Sequence, residues 1–497
     1  MTRLRWTHVC FWAVAPVLQQ VVTREHNSFA EILTAGVGAL VLASLALGAV
    51  AICRCFVAPW RAAAAVVSVG LLLAYGYSIR SYLIFAVPSI APFLHHRVMV
   101  PCWLGASIVV GAILWRLRPS FRLDRIERIL WLAAAGFTLA IAVSSGVHAR
   151  TQPMPVGTPD DVGVSRASGL AERPRDIYYI LLDSYPSLEV LRDEYGFVDH
   201  QFEDALHARG FDLVPNAHSN YAFTALSMAS SLNMTLLGDR PSPESSITNN
   251  RLMRVLKSRG YALYHIGVMD IDPGLAEVLN YRLINPYVAS TLAKTPLEAL
   301  LPSTLEWLDA RRRIPLEFEA VRQVARKPGP KFVYAHVLCP HPPIVFAADG
   351  RAIMPWNVAR DRRSAFQGQV AFVNRQVESL LEALLAGDGN DPIIVVQGDH
   401  GSAGFFDPVG LYVPGMARDR FITAQMGILN AFHFPPGMNA TMYPGMTPAN
   451  SFRVVLNAAL DAGMPLVADR SFFSTLTRPY EFREVTTLLR SGAMPSR

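Results

Sequence analysis

Charged residues are scarce in this chain. Only 17% of its 497 residues are Asp, Glu, Lys or Arg, while 51% are apolar; soluble domains carry about 25% charged residues, so the deficit raises the expectation of membrane segments. Cysteine is sparse as well. Cys10, Cys53, Cys55 and Cys102 fall within the first 150 residues and only Cys339 lies beyond them, which excludes a disulfide scaffold for the rest. Also missing is any basic stripe with interleaved aromatics. The formal charge of +6 comes from residues 1–150, with 13 Lys+Arg against 4 Asp+Glu, whereas the remainder holds 32 against 35. The basic balance thus belongs to the apolar N-terminal part and is no nucleic-acid footprint. Repeats and low-complexity tracts are absent.

Five stretches are long and apolar enough to span a bilayer, which takes about 20 helical residues. They run roughly Trp6–Thr23, Ile32–Cys53, Ala62–Ile79, Val98–Trp115 and Ile129–Val147. A signal peptide is the rival for the first, but four spans follow it and no convincing cleavage site does. Arginines concentrate at the N-terminus, around Arg54 and Arg61, and between Arg116 and Arg128, so these ends are expected to be cytoplasmic. An odd number of spans then puts everything after Val147 outside an inner or plasma membrane. The segment Pro88–His96 reads as structural, re-entrant or interfacial. No charged residue falls inside the spans, which argues against a transporter.

The expected organisation is a membrane domain over 1–148, a Pro/Gly/Ser-rich linker over 149–174 and an extracytoplasmic domain over 175–490. In the last, strand-like and helix-like segments alternate, as in an α/β domain with a mostly parallel sheet flanked by helices. Strands are expected at Asp176–Asp183, Gly210–Val214, Ala262–Gly267, Lys331–Leu338, Ile393–Val396 and Gln425–Phe434. Helices are expected at Leu188–Tyr195, His200–Arg209, Thr224–Met234, Asn249–Arg259, Arg362–Leu385 and Pro448–Ala459.

Chemistry gathers where strands end, the usual place for ligands in open α/β sheets. Asp183 ends the first strand, Thr224 opens a helix, His336 and His341 flank another strand end, and Asp399 and His400 follow IIVV within a GDHG sequence. Each has a plainer reading: Asp183 and Thr224 as helix caps, His336 as a satisfied core histidine, Asp399-His400 as a surface turn. Together they have a mechanism. A divalent metal held by Asp183, Asp399 and His400 would also bind the Thr224 hydroxyl and make it a nucleophile. Amide groups at the helix N-terminus would face an anionic substrate, and His341, held between prolines, would be the general acid. That is phosphoryl transfer through a phospho-threonine. The mostly oxygen ligand set suits one Mn²⁺ or Mg²⁺, and Zn²⁺ is also compatible.

The order Asp183, Thr224, His341 and Gly398–Gly401 resembles the alkaline phosphatase superfamily. The sulfatase-like branch with lipoteichoic acid synthases and phosphoethanolamine transferases is the nearest likeness. SNYAFTALSMASSLNM (219–234), HVLCPHPPIVF (336–346), VVQGDHG (395–401) and ADRSFFS (468–474) carry it. The resemblance implies Asp183, Thr224, Asp399 and His400 as the metal site, Thr224 as nucleophile and His341 as the substrate-side histidine. Ser227 is the rival nucleophile; Asn220, His336, Asn374 and Arg375 are candidate substrate contacts by position.

The implied activity is a membrane-anchored phosphotransferase or phosphoester hydrolase of the cell envelope. Its partners would be membrane lipid and a phospholipid or polysaccharide substrate. An inactive scaffold in polysaccharide assembly is the alternative, disfavoured by the intact acid, hydroxyl and imidazole set. A sulfuric ester hydrolase is disfavoured too, because no Cys lies in the forty residues after Asp183 and Cys339-Pro340-His341 does not fit a formylglycine motif.

Overall fold

The chain divides into two compact units, Met1–Gln152 with Ile284–Glu306, and Pro153–Leu283 with Trp307–Arg497. The computed structural model describes residues 174–238, 243–283, 302–386, 391–402, 418–475 and 478–491, the helix Phe29–Cys53, and isolated positions before residue 117. In the first unit, Phe29–Cys53 covers the second expected span, and Leu40, Leu45 and Ile52 on it are exposed. Among the described residues, whose side chains on this helix are Val37, Leu40 and 43–53, no helix is long and apolar enough to cross a membrane. The other four expected spans, the Pro88–His96 segment and residues 149–173 lie outside the described residues apart from scattered helical positions.

In the second unit the strands are β1 (Ile177–Leu182), β2 (Phe211–Leu213), β3 (Ala262–Ile266), β4 (Glu277–Leu279), β5 (Lys331–Val337), β6 (Ile393–Gly398) and β7 (Asn430–His433). They form one sheet in the order β2-β7-β6-β1-β5-β3-β4. From β6 to β4 neighbouring strands run parallel; β7 is antiparallel to both β6 and β2. A separate antiparallel ribbon joins β8 (Phe472–Thr475) to β9 (Arg478–Glu484).

The central strands β1, β5 and β6 are buried along their whole length, as their apolar runs require. Alternate residues feed two cores. Tyr178, Ile180, Leu182, Val333, Val337, Ile394 and Val396 pack on one face with the helices Pro302–Ala325 and Arg362–Leu385. On the other face, Ile177, Tyr179, Leu181, Phe332, Tyr334, Ile393 and Val395 meet the helices Thr224–Asn233, Arg251–Ser258 and Pro448–Leu460. The result is a three-layer α/β/α domain, the mostly parallel sheet between helices that the alternation of patterns implies.

β4, β8, β9 and the helices Pro243–Thr248, Pro355–Arg360 and Thr486–Arg490 have no counterpart in the sequence reading, and two further segments depart from it. The strand expected over Gln425–Phe434 is only β7; Gln425 and Met426 instead close the helix Arg418–Met426. The apolar run reads as one strand because both halves are buried, and burial alone does not distinguish a helix end from a strand. The helix Pro302–Ala325 was not expected: Pro315 lies inside it, and an interior proline normally ends a helical pattern.

Candidate metal centre

Strand register assembles the centre. Leu182 pairs with Val337 on one side and Gly398 on the other, so Asp183 and Asp399 leave adjacent strands at the same level, with His336 one residue before Val337. All three are almost fully buried, and their ligand atoms lie within 4.8 Å of one another; they are the only such three-residue group of acids, histidines and cysteines among the described residues. His336 Nε2 is 3.2 Å from Asp183 Oδ2. Thr224 and His400 close the ring: Thr224 Oγ1 lies 3.1 Å from His400 Nε2 and 3.5 Å from Asp183 Oδ2, and His400 Nε2 is 3.4 Å from Asp399 Oδ2.

The two carboxylates are oriented differently. Asp399 Oδ1 accepts from the amides of Ser184 and His400, both at 2.8 Å, whereas its Oδ2 is buried with no hydrogen-bond partner among the described residues. An orphaned carboxylate oxygen costs free energy unless something cationic or protic meets it. His400 Nδ1 lies 2.7 Å from the Gly401 carbonyl, a contact that calls for Nδ1–H and leaves the Nε2 lone pair facing Thr224 and Asp399. The charged groups act strongly on one another. Burial raises the Asp183 carboxyl, but His341, the hydrogen bond from His336 and the charges of His336 and His400 outweigh it and hold it well below the carboxylate range. Burial and the neighbouring Asp183 push Asp399 up. For His400, burial lowers the pKa, yet Asp399 and Asp183 prevail and raise it. Two buried carboxylates with one unsatisfied oxygen, ringed by imidazoles and a hydroxyl, fit a divalent cation, and the mixed O/N donors suit Mn²⁺ or Zn²⁺.

Thr224 is the first residue of the helix Thr224–Asn233, whose N-cap Phe223 supplies no side-chain bond. The first intrahelical amide is that of Ser227, bonded to the Phe223 carbonyl at 2.9 Å, which leaves the amides of 224–226 for an anion. Ser227 has its hydroxyl committed: it is buried and donates to the Asp399 carbonyl at 2.7 Å. His341 is partly exposed, its amide bonded to the Asp183 carbonyl at 3.0 Å and its Nδ1 2.5 Å from the Pro342 carbonyl. The remaining positional candidates are not brought to the centre. Asn220 is spent on the Ala449 amide and the Arg470 carbonyl, and Asn374 on Tyr185 and Asp199; Arg375 is on an exposed face.

Two contributors were missed or undervalued by sequence reasoning. His336, read there as a core residue or a substrate contact, sits against Asp183; the available signal was an imidazole in an otherwise apolar strand end. Gln369, fully buried on the helix Arg362–Leu385, grips the His341 loop from inside. Its Oε1 accepts from the Val345 and Phe346 amides at 2.7 and 3.2 Å, while Nε2 faces the carbonyls of Pro340 and His341 at 3.2 and 3.3 Å. Its signal was position: a polar residue on the stripe Phe366, Val370, Val373. Gln369→Leu is expected to strand two buried amides, costing about 1–3 kcal/mol each in a denaturation experiment, and to slow turnover by about tenfold or more through a displaced His341.

The glycines of GDHG are dictated by contact. A Cβ on Gly398 would strike the Tyr185 carbonyl, and one on Gly401 the Ala424 carbonyl; both obstacles are backbone. Gly401→Ala is therefore expected to lower stability by about 1–3 kcal/mol, read from the denaturant midpoint, and to displace His400.

No protein-family model matches the chain, and no curated protein matches it in sequence. Solved structures that do match include a protein of the alkaline phosphatase superfamily from Vibrio parahaemolyticus, at 9% identity over 62% of this chain and 74% of that one, with a TM-score of 0.39. More particularly, the chain is similar to the zinc-bound periplasmic domain of EptC from Escherichia coli, at 13% identity over 58% of this chain and 83% of that one, TM-score 0.42. It is also similar to the phosphonate monoester hydrolase of Agrobacterium radiobacter, at 14% identity over 61% and 80%, TM-score 0.40.

Proposed function

We propose that this chain is a membrane-anchored, metal-dependent phosphotransferase or phosphoester hydrolase of the cell envelope that works through a phospho-threonine at Thr224. The observation that carries the reading is the Thr224 hydroxyl at an open helix N-terminus, within reach of His400 and Asp183 and beside a buried Asp/His/Asp group with an orphaned oxygen. Asp183, Asp399, His400 and His336 would hold the ion, with the Thr224 hydroxyl beside them. When bound it supplies charge that lowers the hydroxyl pKa and neutralises phosphate oxygens.

The rest falls to the protein. Thr224 Oγ attacks phosphorus after its proton is lost to solvent, since Asp183 and His400 would be taken up by the ion and Asp183 is held well below the carboxylate range, and the amides at the helix start face the phosphate oxygens. The ester P–O bond breaks as the His341 imidazolium gives a proton to the leaving oxygen. With Nδ1 engaged by the Pro342 carbonyl, Nε2 is the atom that makes the transfer. It takes a proton back from the acceptor hydroxyl or water that releases the phospho-group. His341→Gln is accordingly expected to slow alkyl phosphoesters by about 10²–10⁴-fold and to leave activated aryl phosphates nearly unchanged, in parallel rate measurements.

Anchoring by the five apolar stretches suits a lipid donor, which arrives at the bilayer surface. Full-length protein given labelled phospholipid with and without an acceptor glycan separates the two activities: label on the acceptor supports transfer, and label only in free headgroup supports hydrolysis. No release in either arm overturns both.

A further inference from the structure

A second polar feature lies beyond the metal centre, in an open cavity of about 510 Å³ lined by Arg311, Arg312, Pro315, Phe346, Phe372 and Gln376 among others. Its volume is within the roughly 300–1,000 Å³ of small-molecule sites. Three consecutive arginines reach this part of the helix Pro302–Ala325 and are used differently. Arg313 turns inward and pairs with Asp309 and Glu317 at 3.1 and 2.8 Å. Arg312 is exposed and, among the described residues, bonds to the Tyr281 carbonyl at 3.3 Å. Among the described residues Arg311 has no carboxylate partner, and its buried Nη1 has no hydrogen-bond acceptor.

Instead Arg311 stands over aromatic rings, 5.4 Å from the Phe346 centroid and 6.0 Å from that of Trp307. A planar guanidinium stacked on rings keeps its N–H edge available for a forked pair with phosphate or carboxylate, and the buried Nη1 is a donor on that edge without a hydrogen-bond partner among the described residues. Phe346 stacks on Phe372 at 4.0 Å, giving the cavity an apolar wall suited to the C–H face of a sugar or polyol. The cavity is also tied to the catalytic loop, because the Gln369 amide that holds the His341 carbonyl holds the Phe346 amide too.

We propose that this cavity binds the non-reacting, anionic end of the substrate, a phosphate ester on a sugar or polyol body, with Arg311 and Arg312 on the phosphate. The choice of phosphate over another anion rests on the phosphoester reading given above; the charge and the aromatic wall do not depend on it.

The test uses the full chain carrying Thr224→Ala and stripped of metal by chelation, so that the probe is neither consumed nor held at the metal centre. Calorimetric titration with glucose 6-phosphate, glycerol 3-phosphate and unphosphorylated glucose is then compared with the same protein carrying Arg311→Met or Arg311→Lys. Saturable binding of a phosphate ester but not of glucose is expected, weakened about tenfold or more by Arg311→Met and less by Arg311→Lys, which keeps the charge. Tighter glucose 6-phosphate identifies a glycan phosphate, and tighter glycerol 3-phosphate a lipid headgroup. Absence of saturable binding, or equal binding by Arg311→Met, overturns the proposal. Turnover by the metal-loaded Thr224 enzyme is measured separately. Turnover without Arg311-dependent binding sinks the cavity alone, whereas Arg311-dependent binding without turnover sinks phosphoryl transfer and leaves the cavity standing.

Discussion

Thr224→Ala is expected to reduce turnover of any phosphoester by about four orders of magnitude or more, the scale of losing a covalent nucleophile, with little change in melting temperature. The structure separates the two effects. Thr224 is the first residue of its helix but not its cap, and Phe223 in the cap position makes no side-chain bond, so alanine removes no capping interaction and has the higher helix propensity. What is lost is the hydroxyl near His400 and Asp183. The rival Ser227 gives the contrast. Its hydroxyl supports the Asp399 carbonyl from a buried position, so Ser227→Ala is expected to cost about 1 kcal/mol of stability and far less activity. Rates and melting curves of the two variants, with Thr224→Ser as a partial rescue, distinguish nucleophile from support.

Asp399→Asn is the second large effect. The side chains have the same shape, and Asn can still accept from the Ser184 and His400 amides through the oxygen in the Oδ1 position. Its NH₂ then occupies the Oδ2 position, which has no hydrogen-bond partner among the described residues, and offers a metal no charge. Metal affinity is expected to fall by more than about 100-fold, beyond what an outer-shell partner costs, and activity with it. Stability gives an independent readout. Burial and Asp183 raise the Asp399 carboxyl in the folded state, so its favourable contribution is complete at acid pH and is lost as pH rises through that raised value. Near neutrality, metal-free Asp399→Asn is therefore expected to melt above metal-free wild type and below the metal-loaded protein.

The sheet was legible in the sequence because its central strands are apolar on both faces and end on polar residues; IYYILL and IIVVQG each mark a strand and the place where it stops. Asp183, Thr224, Asp399 and His400 were legible for the same reason, since each stands at a junction of strand or helix and loop. His336 was undervalued because only register reveals that its strand lies beside β1 with the imidazole level with Asp183. Gln369 and the Arg311 cavity were invisible, since both depend on how distant helices meet one loop, which periodicity does not encode. Asn220 and Asn374 stand near motifs, and both spend their side chains joining elements more than 170 residues apart in sequence.

Everything proposed for Thr224 depends on a cation between Asp183 and Asp399, so metal content is the most direct test. Full-length protein purified without chelator and exchanged into metal-free buffer is measured by plasma mass spectrometry beside Asp183→Asn and Asp399→Asn. About one equivalent of a divalent transition metal in wild type, and far less in both variants, is the expected result. No stoichiometric metal in wild type even after incubation with Mn²⁺ or Zn²⁺, or an equal content in all three proteins, would contradict the account.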